Sequence, residues 1–166
     1  MKKRLNTVLV KTDASVIGNH STHSYHIRGI KADGTMGAMI RQKTFGKHFQ
    51  DVLMAELYSI QEGLIIVEER NFKGVVVQTD SEDAVLYINT RNWTHENPAI
   101  QRDITYIRKL VDRIGAKVQY VPRKYNKLTD KLCRQGWKDK KRNLKGKTLK
   151  GVKISNASAR KPQYNF

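Results

Sequence analysis

Two hydrophobic runs in this chain finish on the same dipeptide. Val8, Leu9 and Val10 lead into Thr12-Asp13, and Val75, Val76 and Val77 lead through Gln78 into Thr79-Asp80. Two further acids occupy positions where an acid is costly. Glu56 falls inside the apolar stripe that Leu53, Leu57, Ile60, Leu64 and Val67 trace at helical spacing. Asp130 follows Asn126 by one helical turn and is flanked by Leu128 and Leu132. A carboxylate in apolar surroundings is unfavourable unless it is paired or holds a cation. Acids gathered at one point repel each other, and oxygen-liganded Mg²⁺ or Mn²⁺, rather than zinc, relieves that repulsion. Two such ions roughly 4 Å apart can activate a water and stabilise the leaving oxygen in phosphodiester cleavage. Singly, each aspartate reads as a turn or cap residue and Glu56 as a snorkelling or arginine-paired acid. The conjunction points to a metal centre at Asp13, Glu56, Asp80 and Asp130.

The elements that must bring these acids together can be read in order. A first strand covers roughly residues 6–13, with Leu9, Lys11 and Asp13 on one face and Val8, Val10 and Thr12 on the other. "SYHIRGIK" and "MGAMIRQKTF" form a hairpin through Asp33-Gly34. The stripe containing Glu56 is a helix, followed by a strand over 74–80 and a short helix over 82–90. Asn97 caps the next helix, Pro98 opens it and Gly115 stops it. "KVQYVP" is the last strand, and Asn126 caps the last helix. The order βββαβααβα predicts an α/β domain with a five-stranded mixed sheet and helices on its faces. If the first and fourth strands are parallel neighbours, Asp13 and Asp80 sit side by side at the carboxyl edge, where α/β sheets bind ligands.

Composition points to a partner class by charge. Among 166 residues, 32 Lys and Arg oppose 15 Asp and Glu, a net charge of +17. Such a surplus fits a polyanion. Residues 138–166 hold ten basic residues and one acid, so the expected division is a catalytic domain over 1–142 and a basic tail over 143–166. Lys140, Lys141 and Arg142, just before the tail, are candidate nucleic-acid contacts. Trp137, and likewise Trp93, is either a stacking platform for bases or a core anchor. No apolar run reaches the 18 or so residues that span a bilayer. The N-terminal apolar run is too short for a signal peptide and lacks a small-residue cleavage site. The lone Cys133 excludes an intrachain disulfide and fits a reducing, cytoplasmic setting as a small core residue. His20, His23 and His26 have a spacing that invites zinc, but strand alternation separates them. Nothing in the sequence calls for an obligate protein partner.

The motifs together resemble those of type 1 ribonuclease H over residues 6–137. "DASVIGN" is similar to the family's first motif, Glu56 to its helix acid, Thr79-Asp80-Ser81 to its Thr-Asp-Ser, and Asn126 with Asp130 to its last motif. The resemblance implies the ribonuclease H-like fold and metal-dependent hydrolysis of the RNA strand in RNA–DNA hybrids. It implies two Mg²⁺ ions on Asp13, Glu56, Asp80 and Asp130. Ser15, Asn19, Ser81 and Asn126 become nucleic-acid contacts, with Asn19 reaching the 2′-hydroxyl side of the minor groove. The chain departs from the family at Ala14, where glycine is usual, and at Val52 and Leu53, where polar residues are common. It also lacks the histidine before the last helix, and Arg123 and Lys124 occupy that region. The competing readings are a related nuclease such as a Holliday-junction resolvase, and a non-catalytic binding module.

Overall fold

The computed structural model describes residues 7–148, without the side chains of Trp137 and of 139–148. The expected order of elements is found: β1 (Thr7–Ile17), β2 (His20–Ile30), β3 (Met36–Lys47), α1 (Val52–Glu69), β4 (Val75–Thr79), α2 (Glu82–Asn89), α3 (Pro98–Ile114), β5 (Lys117–Tyr120) and α4 (Lys127–Thr148). They form one five-stranded mixed sheet in the order β3-β2-β1-β4-β5. The meander β1-β2-β3 is antiparallel. β4 joins β1, and β5 joins β4, in parallel.

Local chemistry sets the element ends. The β2–β3 turn closes on Asp33, whose Oδ1 accepts the Thr35 N–H at 2.9 Å, with Gly34 at φ 84°. Asp51, Ser81 and Asn97 cap α1, α2 and α3 by accepting from Met54, Ala84 and Ala99. Gly115 ends α3 in the left-handed region at φ 73°.

Two boundaries differ from the sequence reading. β1 continues past Asp13 to Ile17, because β2 supplies a partner as far as Ile17↔His20 after β4 has ended. α4 runs on to Thr148, across the expected domain boundary. Residues 149–166 of the expected tail, and the side chains of Lys140, Lys141, Arg142 and Trp137, lie outside what is described.

The sheet divides the chain into two layers. Val8, Val10, Tyr25 and Ile27 face a core completed by Leu57, Ile60 and Leu64 of α1 and Ile100, Ile104 and Ile107 of α3. α1 approaches β1 closely at Gly63, where a Cβ would stand 2.8 Å from Val10 Cγ1. α4 covers the opposite face. There Ser24 Oγ donates to the Thr129 carbonyl at 2.7 Å, Thr22 Oγ1 donates to the Cys133 carbonyl at 3.2 Å, and Cys133 is buried.

Candidate active site

The parallel register answers the repeated Thr-Asp. Thr12↔Thr79 is the last pair of the β1–β4 ladder, so the next residue on each strand, Asp13 and Asp80, emerges at the same edge. Alternation then assigns roles. Thr12 and Thr79 are fully buried, while Asp80 lines the cleft and Asp13 lies buried beside it. Glu56 projects from the second turn of α1 toward the same point. One carboxylate oxygen from each of Asp13, Glu56 and Asp80 lies within 4.8 Å of the others.

The electrostatics are severe. Asp13 and Glu56 are each only 5% exposed. The Ala14 N–H donates to Asp13 Oδ1 at 2.9 Å and also favours the charged form of Glu56. Glu56 Oε2 is buried with no hydrogen-bond partner among the described residues. Burial, and then the charges of Asp80 and Asp130, hold Asp13 well above the usual carboxylate range. Burial, and then Asp13 and Asp80, do the same to Glu56. Burial also raises Asp80, against the opposing pull of Arg123. Glu56 and Asp80 line a cleft of about 300 Å³ whose walls also include Val52, Leu53, Ser81 and Tyr120. An all-oxygen donor set with an orphaned buried oxygen fits a hard divalent cation.

Asp130 takes a different position from the other three acids. It lies in the first turn of α4, close enough for its charge to act on Asp13 and Asp80. Its Oδ1 accepts from Arg123 at 2.8 Å and its Oδ2 pairs with Arg134 at 3.0 Å. The structure therefore brings three of the four expected acids into one cluster and holds the fourth beside it on two guanidinium groups.

The expected nucleic-acid contacts also separate. Asn19 is exposed in the β1–β2 turn beside Gly18. Arg123 and Lys124 form the single 3₁₀ turn before α4, with Lys124 Nζ over the exposed Tyr125 ring. Ser81 is half-buried and caps α2. Ser15 is 5% exposed and Asn126 is fully buried, so neither presents its side chain on the open surface. Asn126 instead donates to the Thr12 carbonyl at 2.9 Å and reaches Asp80, tying the start of α4 to the β1 edge. Of the histidines, His23 faces the core and His26 lies on β2 opposite Lys11. His20 meets His48 with their Nδ1 atoms 3.1 Å apart, so the three do not converge. Sequence reasoning overlooked Ser59, fully buried one turn beyond Glu56 and donating to the Asp13 carbonyl at 3.0 Å. Its signal was a polar residue on the inward stripe of α1.

Residues 19–136 match the family described as reverse transcriptase-like, and that span carries Glu56, Asp80 and Asp130. The chain belongs to this family, within the ribonuclease H-like superfamily. Among solved structures, the N-terminal RNase H domain of a Mycobacterium tuberculosis protein superposes with a TM-score of 0.71 at 17% identity, covering 83% of this chain and 98% of that one. RNase H1 from the halophilic archaeon Halobacterium salinarum gives 0.67 at 19% identity, covering 80% and 98%. A compost-derived RNase H1 solved with an RNA/DNA hybrid gives 0.64 at 15% identity, covering 77% and 94%. These likenesses establish the ribonuclease H fold. No curated protein sequence matches the chain. No helix among the described residues is long and apolar enough to cross a membrane.

Proposed function

We propose that this ribonuclease H-like domain is a metal-dependent endonuclease that hydrolyses the RNA strand of RNA–DNA hybrids, leaving 5′-phosphate and 3′-hydroxyl ends. The observation that carries this reading is the convergence of Asp13, Glu56 and Asp80, with one buried oxygen unpartnered. These three residues would hold Mg²⁺, with Mn²⁺ as a substitute, and Asp130 stands next to them for a second ion. When bound, the ions supply activation of the attacking water and stabilisation of the leaving oxygen.

The chain's own residues do the positioning. The Ala14 amide and Asn126 hold the acids' backbone and side chains in place. Val52, Leu53 and Tyr120 line the cleft beside Glu56 and Asp80. Asn19 is exposed and available to a minor groove, where the 2′-hydroxyl separates RNA from DNA. The net charge of +17 holds the phosphate backbone, with Arg123, Lys124, Lys140, Lys141 and Arg142 as contacts. The compost-derived relative solved with an RNA/DNA hybrid supports this choice of substrate.

The test is a panel of labelled RNA–DNA hybrid, duplex DNA, duplex RNA and a four-way junction, each with Mg²⁺ or chelator. Metal-dependent cutting of the hybrid alone is expected. Cutting of the junction would assign the domain to the resolvases, and binding without cutting would make it a binding module. Asp80→Asn is expected to lose turnover by about a hundred- to a thousandfold while still binding hybrid, on the scale of removing one centre of charge stabilisation.

A further inference from the structure

Behind the carboxylates runs a buried chain of hydrogen bonds that the proposed reaction does not itself use. Ser59 Oγ donates to the Asp13 carbonyl at 3.0 Å, with the Ala55 carbonyl as a weaker acceptor at 3.3 Å. With its proton so placed, Ser59 must accept from His23 Nδ1, which lies 2.9 Å away. His23 then carries its proton on Nδ1, leaving Nε2 to accept from Ser21 Oγ at 2.7 Å. Ser21 Oγ in turn accepts the Phe49 N–H at 3.4 Å. Each group in the chain thus has a defined direction. It spans β1, α1, β2 and the segment entering α1.

His23 is fully buried. Phe45 stacks on its ring at 5.2 Å, and Phe49 and Tyr58 meet it edge-on. Burial keeps it neutral, lowering its pKa to about 4. A phenylalanine would fill this aromatic box with no polar group to satisfy. Ser59 is the direct link between the peptide that carries Asp13 and the helix that carries Glu56, and the imidazole fixes Ser59 by tying it to Ser21 of β2.

We propose that His23 and Ser59 are positioning residues that set the separation of Asp13 and Glu56, and thereby the affinity of the site for a divalent cation. This rests on the metal-site reading given above. Residues that orient ligands from behind typically cost 10–100-fold in metal affinity when removed. The two carboxylates share the Ala14 N–H, so a small shift of α1 against β1 changes both.

The experiment titrates the full-length protein with Mn²⁺ and follows free ion by electron paramagnetic resonance, alongside thermal melts. His23→Phe keeps a planar aromatic ring, somewhat larger than imidazole, and removes the hydrogen bonds, and Ser59→Ala is a second variant of minimal size. Both are expected to weaken Mn²⁺ binding about tenfold or more. Ile104→Val, a truncation in the α3 core, is expected to lower the melting temperature without changing the affinity. Wild-type affinity in both His23→Phe and Ser59→Ala would overturn the proposal and leave the metal site standing. So would an equal loss in Ile104→Val at a matched melting temperature. If wild-type protein binds no Mn²⁺ that Asp80→Asn abolishes, it is the metal-site reading that fails.

Discussion

Glu56→Gln separates a metal-binding acid from a structural one by the sign of its effect on stability. With acid oxygens at most 4.8 Å apart, two unit charges repel by about 3.5 kcal/mol at an effective dielectric constant of about 20. Glu56 enters two such pairs, one with Asp13 and one with Asp80. Raised pKa values mean that retained protons already relieve part of this repulsion. The net gain from a neutral amide is therefore about 1–3 kcal/mol, the range that a buried unsatisfied group costs. For a chain of this size that corresponds to a rise in melting temperature of roughly 3–9 °C in chelator. Wild-type protein should gain about 1.4 kcal/mol at a free Mg²⁺ concentration ten times its dissociation constant. The variant should gain almost nothing. Melting curves in chelator and across a Mg²⁺ series read both quantities. A variant that melts below wild type in chelator, with an undiminished response to Mg²⁺, would refute the reasoning.

Three further outcomes are expected. His23 and His26 are both held near a pKa of about 4 by burial, against 6.5 in a free chain. The unfolded chain therefore takes up their protons first, and stability present above pH 6.5 is lost as pH falls toward about 4. Each contributes roughly 1.4 kcal/mol per pH unit across that window. Urea titrations in an Asp13→Asn/Glu56→Gln background, where the opposing carboxylate contribution is reduced, should show this slope, and His26→Gln should flatten it. Gly63→Ala adds a methyl 2.8 Å from Val10 Cγ1 and should destabilise by about 1–3 kcal/mol despite alanine's better helix propensity. A more stable variant in denaturant would show that the α1–β1 packing is looser than described. Removing residues 143–166 should weaken hybrid binding and flatten its salt dependence by about 0.9 logarithmic units per lost phosphate contact. An unchanged slope would reduce that segment to a solubility role.

The acids were legible in the sequence because each broke a local rule. Asp13 and Asp80 end apolar runs, and Glu56 interrupts an apolar stripe. What could not be read was orientation. Asp130 has the right place in the chain, yet its partners Arg123 and Arg134 lie on both sides of it in sequence and are chosen by rotamers. The end of β1 was misplaced for a related reason: Thr12-Asp13 reads as a strand end, while the hydrogen-bond ladder to β2 continues through Ala14, Ser15, Val16 and Ile17. Asn126 carried a motif-based expectation of contact with substrate, and only its complete burial reveals a brace. His23 was read with His20 and His26 as a ligand question, because spacing along a strand does not disclose the aromatic box around one ring.

The matched Thr-Asp endings of β1 and β4 also have a consequence for assembly of the sheet. Successive strand residues point to opposite faces. A one-residue slip between the two central strands would bring a threonine to the edge in place of one aspartate and push a carboxylate into the apolar layer. Divalent-ion affinity is thus a direct gauge of correct strand registration: a misthreaded chain could reach native-like secondary structure and still be identified by its inability to capture the ion.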